Sequence, residues 1–267
     1  GPFYFLPNMW SPCWKSDLTK EGVACLPYFY VAGFPKCGTT DLYVLLSIHP
    51  QVVRPVAKET HWVARHRFVG YNGRNKTLKD YVENFSPVMY RAVSPNSTYR
   101  ADLLNPQITG DYSVTTAYEH LRWETIPGNQ WCDEPLILNA DLVRHMNPRA
   151  KIIFTVRNPT TSLYHVFIED WLKRFPRDQI YVVRLEDWAL NPVEELVRLF
   201  KFLELDVPSR ELIEVMRHRV PANYGEVAKD QGLMSNHTKA VLDSFFRPFN
   251  ARLAQLLGNR KFLWEDE

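Results

Sequence analysis

Nowhere in the 267 residues is there an apolar run approaching the ~20 residues that cross a bilayer, and the first residues lack the basic-then-apolar layout of a secretory signal. Charge of one sign is not in excess either. Lys and Arg number 32 against 30 Asp and Glu, a balance of +2, which excludes the broad basic field of a nucleic-acid binder. Any anionic partner must be held by a local site. The four cysteines and eight histidines form no spaced ligand set, so no metal is implied. Internal repeats, low-complexity tracts and a convincing linker are also missing, which leaves one large domain as the preferred organisation. What is present is globular in kind: 45% hydrophobic, 13% aromatic and 23% charged residues exclude the disordered and fibrous classes. The opening Gly1-Pro2 reads either as native or as the scar of a cleaved tag, and membrane attachment is expected only through an anchor outside this sequence.

Residues 1–27, rich in Pro, Trp and Cys without periodicity, read as an irregular N-terminal arm, and 28–267 as a single domain. In the arm, Cys13 and Cys25 flank a short polar stretch and either close a small disulfide or remain two thiols. Sequons at Asn75, Asn96 and Asn236 lean toward a secretory-pathway lumen, while Asn158 is disqualified by Pro159. The β-branched and aromatic run at 28–33 predicts a buried strand, and the spacing of Leu42, Leu45 and Leu46 predicts a helix within 39–50. Further strands are expected at 51–56, 108–113, 151–159 and 180–186, and helices at 76–85, 135–148, 162–175 and through most of the chain beyond 191. Strands separated by helices imply an α/β fold: a mainly parallel central sheet covered on both faces.

Chemistry concentrates in GFPKCGTT, residues 33–40, where a strand runs into a glycine turn and Thr39 and Thr40 open a helix. A helix N-terminus with free N–H groups and a lysine beside it suits a phosphate-like anion. In the nucleotide-triphosphate loop the lysine follows the second glycine. Here Lys36 precedes Gly38, which disfavours a nucleotide kinase, although a P-loop kinase and a non-catalytic glycan-binding module remain alternatives. Arg157, at the end of the strand FTVRNP, stands where parallel sheets place ligands and suits multidentate phosphate recognition. KETHW, residues 58–62, combines Lys58, Glu59 and His61; on the residues alone it reads as readily as a solvated charged loop.

The PKCGTT loop, R-N-P, K-E-x-H-W, RLED and FRPFNARLAQLL together resemble the carbohydrate sulfotransferases that use 3′-phosphoadenosine 5′-phosphosulfate (PAPS). The resemblance covers nearly all of residues 25–264 and implies a P-loop-NTPase-like sulfotransferase fold. It implies that Lys36 bridges the oxygen between phosphate and sulfate, that Cys37, Gly38, Thr39 and Thr40 hold the phosphate, and that Arg157 binds the 3′-phosphate. It implies Glu59 as the base, with His61 the alternative, and Lys58 and other neighbours on the acceptor. The acceptor implied is a sulfated glycosaminoglycan, chondroitin or dermatan sulfate, at C6 of a 4-sulfated N-acetylgalactosamine, in the Golgi lumen, with the full-length protein a type II membrane protein. Uronyl 2-O and glucosaminyl positions stay open.

The sequence departs from that family in three places. His165 stands where the family has a 3′-phosphate serine, and Tyr112 where many relatives have a second lysine, a helper that Lys58 is expected to replace. RNPTTS also abuts LYHVFIEDW directly, so a segment near 161–163 is expected to be missing. Lys229 is a candidate to close over the nucleotide, Arg54, Arg65, His66, Arg67 and Arg74 to line the acceptor cleft, and Phe245, Phe246, Leu253 and Leu257 to pack a closing helix on the sheet.

Overall fold

The computed structural model of the chain describes residues 2–20, 22–68, 75–89, 104–120, 122–158, 163–219 and 235–265. Within the arm expected to be irregular, Cys13–Lys15 (β1) and Val23–Cys25 (β2) pair as an antiparallel hairpin. Cys13 and Cys25 oppose each other in its register and are joined by a disulfide. Strands of 3 residues are too short to show alternation in sequence, so the stretch reads as irregular from composition alone.

Five strands make the central sheet: β3 (Phe29–Gly33), β4 (Val52–Val53), β5 (Ile108–Asp111), β6 (Lys151–Val156) and β7 (Ile180–Arg184). Their order is β4-β5-β3-β6-β7, with every pair parallel. The strand expected over 51–56 is confined to Val52–Val53, since Pro55 has no N–H to give a ladder. Between the strands run α1 (Thr39–Leu46), α2 (Leu78–Glu83), α3 (Asn139–Met146) and α4 (Tyr164–Leu172). After β7 come α5 (Leu185–Leu190), α6 (Pro192–Phe202), α7 (Arg210–Arg217) and α8 (Asn236–Leu257).

Alternation along the strands divides the core into two layers. Phe29, Val31, Ile153 and Val183 face Leu42, Leu45 and Leu46 of α1 and Leu196, Leu199 and Phe200 of α6. Tyr30, Ala32, Ile152, Phe154 and Val156 face the opposite layer, built from Val143 and Met146 of α3, Ile168 and Trp171 of α4, and Leu253 and Leu257 of α8. Each such side chain, fully buried, contributes roughly 1.5–3 kcal/mol. Phe246, Leu253 and Leu257 pack as expected, but Phe245 is 58% exposed. The buried stripe of α8 runs through 246, 250, 253, 254 and 257, a helical spacing that leaves 245 off its edge.

From β3 the chain leaves toward β5 and β4, and from β6 toward β7. Neighbouring strands whose connections diverge open a crevice at their carboxyl ends, where open α/β sheets bind ligands. Gly33 ends β3 and Arg157 follows β6 at that crevice.

Candidate active site

The turn after β3 brings its groups forward by unusual backbone geometry. Lys36 has φ 63° and is exposed, making no hydrogen bond or ion pair with a described residue, and Gly38 has φ 80°. A Cβ on Gly38 would meet Leu185 Cδ1 at 2.7 Å, so both conformation and space call for glycine. Gly38 is the N-cap of α1 yet supplies no side-chain cap, and the first-turn N–H groups beside Thr39 and Thr40 are those a helix offers to an anion. Asp41 is turned away, accepting from Trp188 Nε1 at 2.9 Å and Arg219 at 3.0 Å. Cys37 is buried, its Sγ 3.5 Å from Tyr164 Oη. Burial pushes its thiol pKa up, opposed by the Tyr164 hydrogen bond and by the charge of Arg157. Arg157 therefore stands close to the glycine turn; its guanidinium is exposed and has no ion pair among the described residues. The turn that presents it is braced by Glu186, whose Oε1 accepts from Asn158 N.

KETHW is built against the end of β5. Lys58 Nζ donates to Glu59 Oε1 at 2.7 Å and to Thr40 Oγ1 at 2.9 Å. Glu59 Oε2 lies 3.2 Å from His61 Nε2, and His61 Nδ1 lies 2.9 Å from Thr115 Oγ1. Hydrogen bonding by His61, then by Lys58, together with the Lys58 charge, holds the Glu59 carboxyl at about 2, against a smaller upward push from burial. A carboxylate only accepts, so in the neutral ring Nε2 carries the proton and Nδ1 accepts from Thr115. Both His61 nitrogens are thus engaged, and each Glu59 oxygen accepts one hydrogen bond, from Lys58 and from His61.

Beneath this chain sits Asp111, fully buried, accepting from Tyr81 Oη at 2.9 Å, Thr60 Oγ1 at 3.1 Å, and both the N–H and hydroxyl of Ser113. Burial pushes its pKa up, and these hydrogen bonds pull against it. Ser113 Oγ in turn accepts from His61 N at 2.9 Å. Asp111, Ser113 and Thr115, at alternate positions, thereby fix Thr60, the His61 backbone and the His61 ring. A π-helical turn over Trp62–His66 follows, anchored by Trp62 Nε1 donating to Lys76 O at 2.8 Å and by Trp62 stacking on Tyr81 at 4.4 Å.

Several expected residues sit elsewhere. Tyr112 is buried edge-on to Phe29 and Tyr43, at 5.5 and 4.8 Å, and points into the core, so it cannot supply the missing cation's function. His165 stacks on Phe249 at 5.4 Å, against α8. Among the cleft candidates, Arg65 is clamped two-pronged onto Glu119, and Arg67 donates to Val63 O at 2.7 Å while lying over Phe68. Arg54 is exposed near Tyr43, and the His66 ring is 6.5 Å from that of His61. Lys229, Arg74, Asn96 and positions 161 and 162 lie outside the described residues. The residues that sequence reasoning missed are the braces: Tyr164, Glu186 and Trp188 on the donor side, Ser113 and Thr115 on the other. Only RLED, which contains Glu186, carried any signal.

A cavity of about 730 Å³ lies by the amino ends of β3 and β6, lined by Trp10, Tyr28, Arg149, Lys151 and Glu204 among others. Its Tyr28 and Lys151 are committed to Glu204, at 3.3 and 2.8 Å, and it contains none of the motif residues. Among the described residues, no group of three or more His, Cys, Asp or Glu converges as a metal site.

Comparison with known proteins agrees with this geometry. The human carbohydrate sulfotransferase 15 is 26% identical, the match covering 99% of this chain and 66% of that protein. The mouse protein of the same name is 28% identical over 90% of this chain and 55% of its own length. Mouse heparan sulfate glucosamine 3-O-sulfotransferase 3A1 is 25% identical over 93% of this chain and 67% of its length. The chain thus spans between about half and two thirds of these relatives. The crystal structure of a sulfotransferase from Alicyclobacillus acidocaldarius superposes with a TM-score of 0.59 at 21% identity, covering 88% of this chain and 96% of that one, a likeness of fold. A sulfotransferase domain model matches residues 160–226 and the sulfotransferase family model matches residues 27–170, which span the glycine turn, KETHW and Arg157. The chain belongs to the sulfotransferase family.

Proposed function

We propose that the protein transfers a sulfuryl group from PAPS to a sugar hydroxyl of a glycosaminoglycan, by direct in-line displacement. The observation that carries this is Lys58, which touches both Thr40 at the anion-receiving turn and Glu59, so a base and an anion site meet at one point. The turn fits a phosphosulfate: an uncapped helix start, an exposed Lys36 and an unpaired Arg157 converge there. PAPS supplies the sulfuryl group and a phosphate leaving group. Glu59 takes the acceptor hydroxyl proton as the oxygen bonds to sulfur. Lys36 neutralises charge on the bridging oxygen as its bond to sulfur breaks, and the N–H groups around Gly38, Thr39 and Thr40 hold the phosphate. Arg157 takes the 3′-phosphate, with Lys229, which lies outside the described residues, a further candidate for the nucleotide.

For the acceptor we propose C6 of N-acetylgalactosamine 4-sulfate in chondroitin or dermatan sulfate, the similarity to carbohydrate sulfotransferase 15 being the support. Residues 28–267 form the single catalytic domain, and 1–27 its arm. The human relative aligns over 373 positions, more than the 267 residues here, so it has stretches this chain lacks, and we place one of them near 161–163. The Cys13–Cys25 disulfide and the exposed sequon at Asn75 support the Golgi lumen and glycosylation. No described helix is long and apolar enough to cross a membrane. Incubation with labelled PAPS and chondroitin 4-sulfate, with Lys36→Ala and Glu59→Ala as controls, tests the proposal: labelled polysaccharide from the unmodified protein alone supports it, and PAP binding without transfer to any glycosaminoglycan leaves a binding module.

A further inference from the structure

Lys58 stands between two parts of the site that have different tasks. Thr40 is the second residue of α1, where the donor's anionic end is received, and Glu59 is the proton acceptor. A single ammonium bonds both, at 2.9 and 2.7 Å. It has three donors on a flexible stem, and the pair is partly open to solvent, with 22% exposure for Lys58 and 32% for Glu59. Rotation about that stem moves the ammonium without moving the backbone. An anion arriving at Thr40 changes the competition for that charge, because it adds negative charge on one side of Lys58 and leaves the other side as it was.

We propose that Lys58 hands its charge from Glu59 to the donor, so that the carboxylate becomes an effective base only when the donor is in place. Donor binding draws the ammonium to the Thr40 side, and Glu59 is left with the single hydrogen bond from His61 Nε2. The low Glu59 pKa, set first by the His61 hydrogen bond and lowered further by the Lys58 hydrogen bond and charge, belongs to the state before the hand-off. A carboxylate held that low is a poor proton acceptor; loss of one of its two partners raises its basicity. The consequence is an ordering of events, in which the acceptor hydroxyl is deprotonated only opposite a bound sulfuryl group. This proposal rests on the donor and base assignments above.

Other charges face Glu59 and must be separated from Lys58. His61 bonds it directly, and the His66 ring is 6.5 Å from that of His61. Arg65 is paired with Glu119, and Asp111 lies behind Thr60. Simple repulsion between Glu59 and an anionic ligand would also couple the two. Coupling between sites is reciprocal, so whatever the donor does to Glu59 is read in what Glu59 does to donor affinity, and a double-mutant cycle isolates the share that passes through Lys58.

The test is calorimetric binding of PAP to the protein, Glu59→Gln, Lys58→Met and the double variant. Gln at 59 still accepts from His61 and no longer holds the ammonium. The expected result is that Glu59→Gln tightens PAP binding roughly fivefold, Lys58→Met weakens it by about as much, and Glu59→Gln has no effect in the Lys58→Met background. Equal tightening by Glu59→Gln in both backgrounds, or no tightening in either, overturns the hand-off. Lys58→Gln replaces Lys58→Met if thermal melting shows the latter to be unfolded. Absence of PAP binding by the unmodified protein overturns the donor assignment itself, and that outcome is distinct from a cycle that closes without coupling.

Discussion

Glu59 Oε2 and His61 Nε2 face each other at 3.2 Å, two residues apart in sequence, with His61 held at φ 47°. A non-glycine residue in that conformation is carried by its surroundings, here the Ser113 and Thr115 hydroxyls that fix its N–H and its ring. In the proposed division of labour, His61 orients and Glu59 accepts the proton. Glu59→Gln is therefore expected to lower transfer by about a thousandfold, within the range for loss of a general base, and His61→Ala by about tenfold. Initial-rate assays on the two variants check this, and the reverse order of severity makes His61 the base.

Thr115 extends that relationship one step further. Thr115→Val removes the hydroxyl that donates to Nδ1, so the ring loses the partner that holds its orientation, while Glu59 still accepts from Nε2 and keeps the tautomer. About a tenfold fall in kcat is expected, with Thr115→Ser restoring most of it. The decisive readout is the ¹⁵N spectrum of the His61 ring, in which the Nδ1 signal shifts on loss of its hydrogen bond in Thr115→Val and not in Thr115→Ser. An unchanged spectrum contradicts the assignment.

The depressed Glu59 carboxyl fixes a pH window. Its folded value of about 2 lies below the ordinary 4.5, so the stability it contributes is complete above about pH 4.5 and is lost as pH falls toward 2. Glu59 is ionised throughout the neutral range, and any acid limb in kcat/KM between pH 5 and 8, taken as roughly the range where histidine titrates, belongs to another group. Glu59→Gln should flatten the decline of melting temperature between pH 4.5 and 2 relative to the unmodified protein; parallel declines contradict the depression.

On the donor side, Arg157→Ala is expected to weaken PAP binding by roughly ten- to a hundredfold, as loss of a charge-assisted phosphate contact does. Glu186→Ala, which frees Asn158 N and the turn carrying Arg157, should weaken it less and leave the response to salt unchanged. Calorimetry at two ionic strengths separates the lost charge from the lost brace.

The Cys13–Cys25 link closes the hairpin of the arm across a separation of 12 residues. Replacing both cysteines by serine is expected to cost about 3 kcal/mol by the loop-closure model, read as a lower melting temperature. PAP affinity measured well below that temperature should be unchanged, because the hairpin lies in the arm and shares no residue with the glycine turn.

Much of this architecture was legible from periodicity. The buried strands at 28–33 and 151–159 and the leucine spacing of α1 are local patterns, and the fold follows from their alternation. The carboxyl-end placement of Lys36 and Arg157 came with it. What periodicity could not show depends on contacts distant in sequence. Tyr164 meets Cys37 across 127 residues, and Trp188 meets Asp41 across 147. Thr115 looks like any turn threonine until β5 is set beside KETHW. Phe245 and Phe246 are indistinguishable in composition, and only the phase of α8 decides which is buried. Arg65 reads from sequence as a candidate for the acceptor cleft, because nothing local announces Glu119.

Labelled sulfate transfer from PAPS to chondroitin 4-sulfate, followed by disaccharide analysis, addresses the central claim most directly. The account predicts label at C6 of N-acetylgalactosamine 4-sulfate with the unmodified protein, and none with Lys36→Ala or Glu59→Ala. Transfer that survives Glu59→Ala, or a protein that binds PAP and labels no glycosaminoglycan, contradicts it.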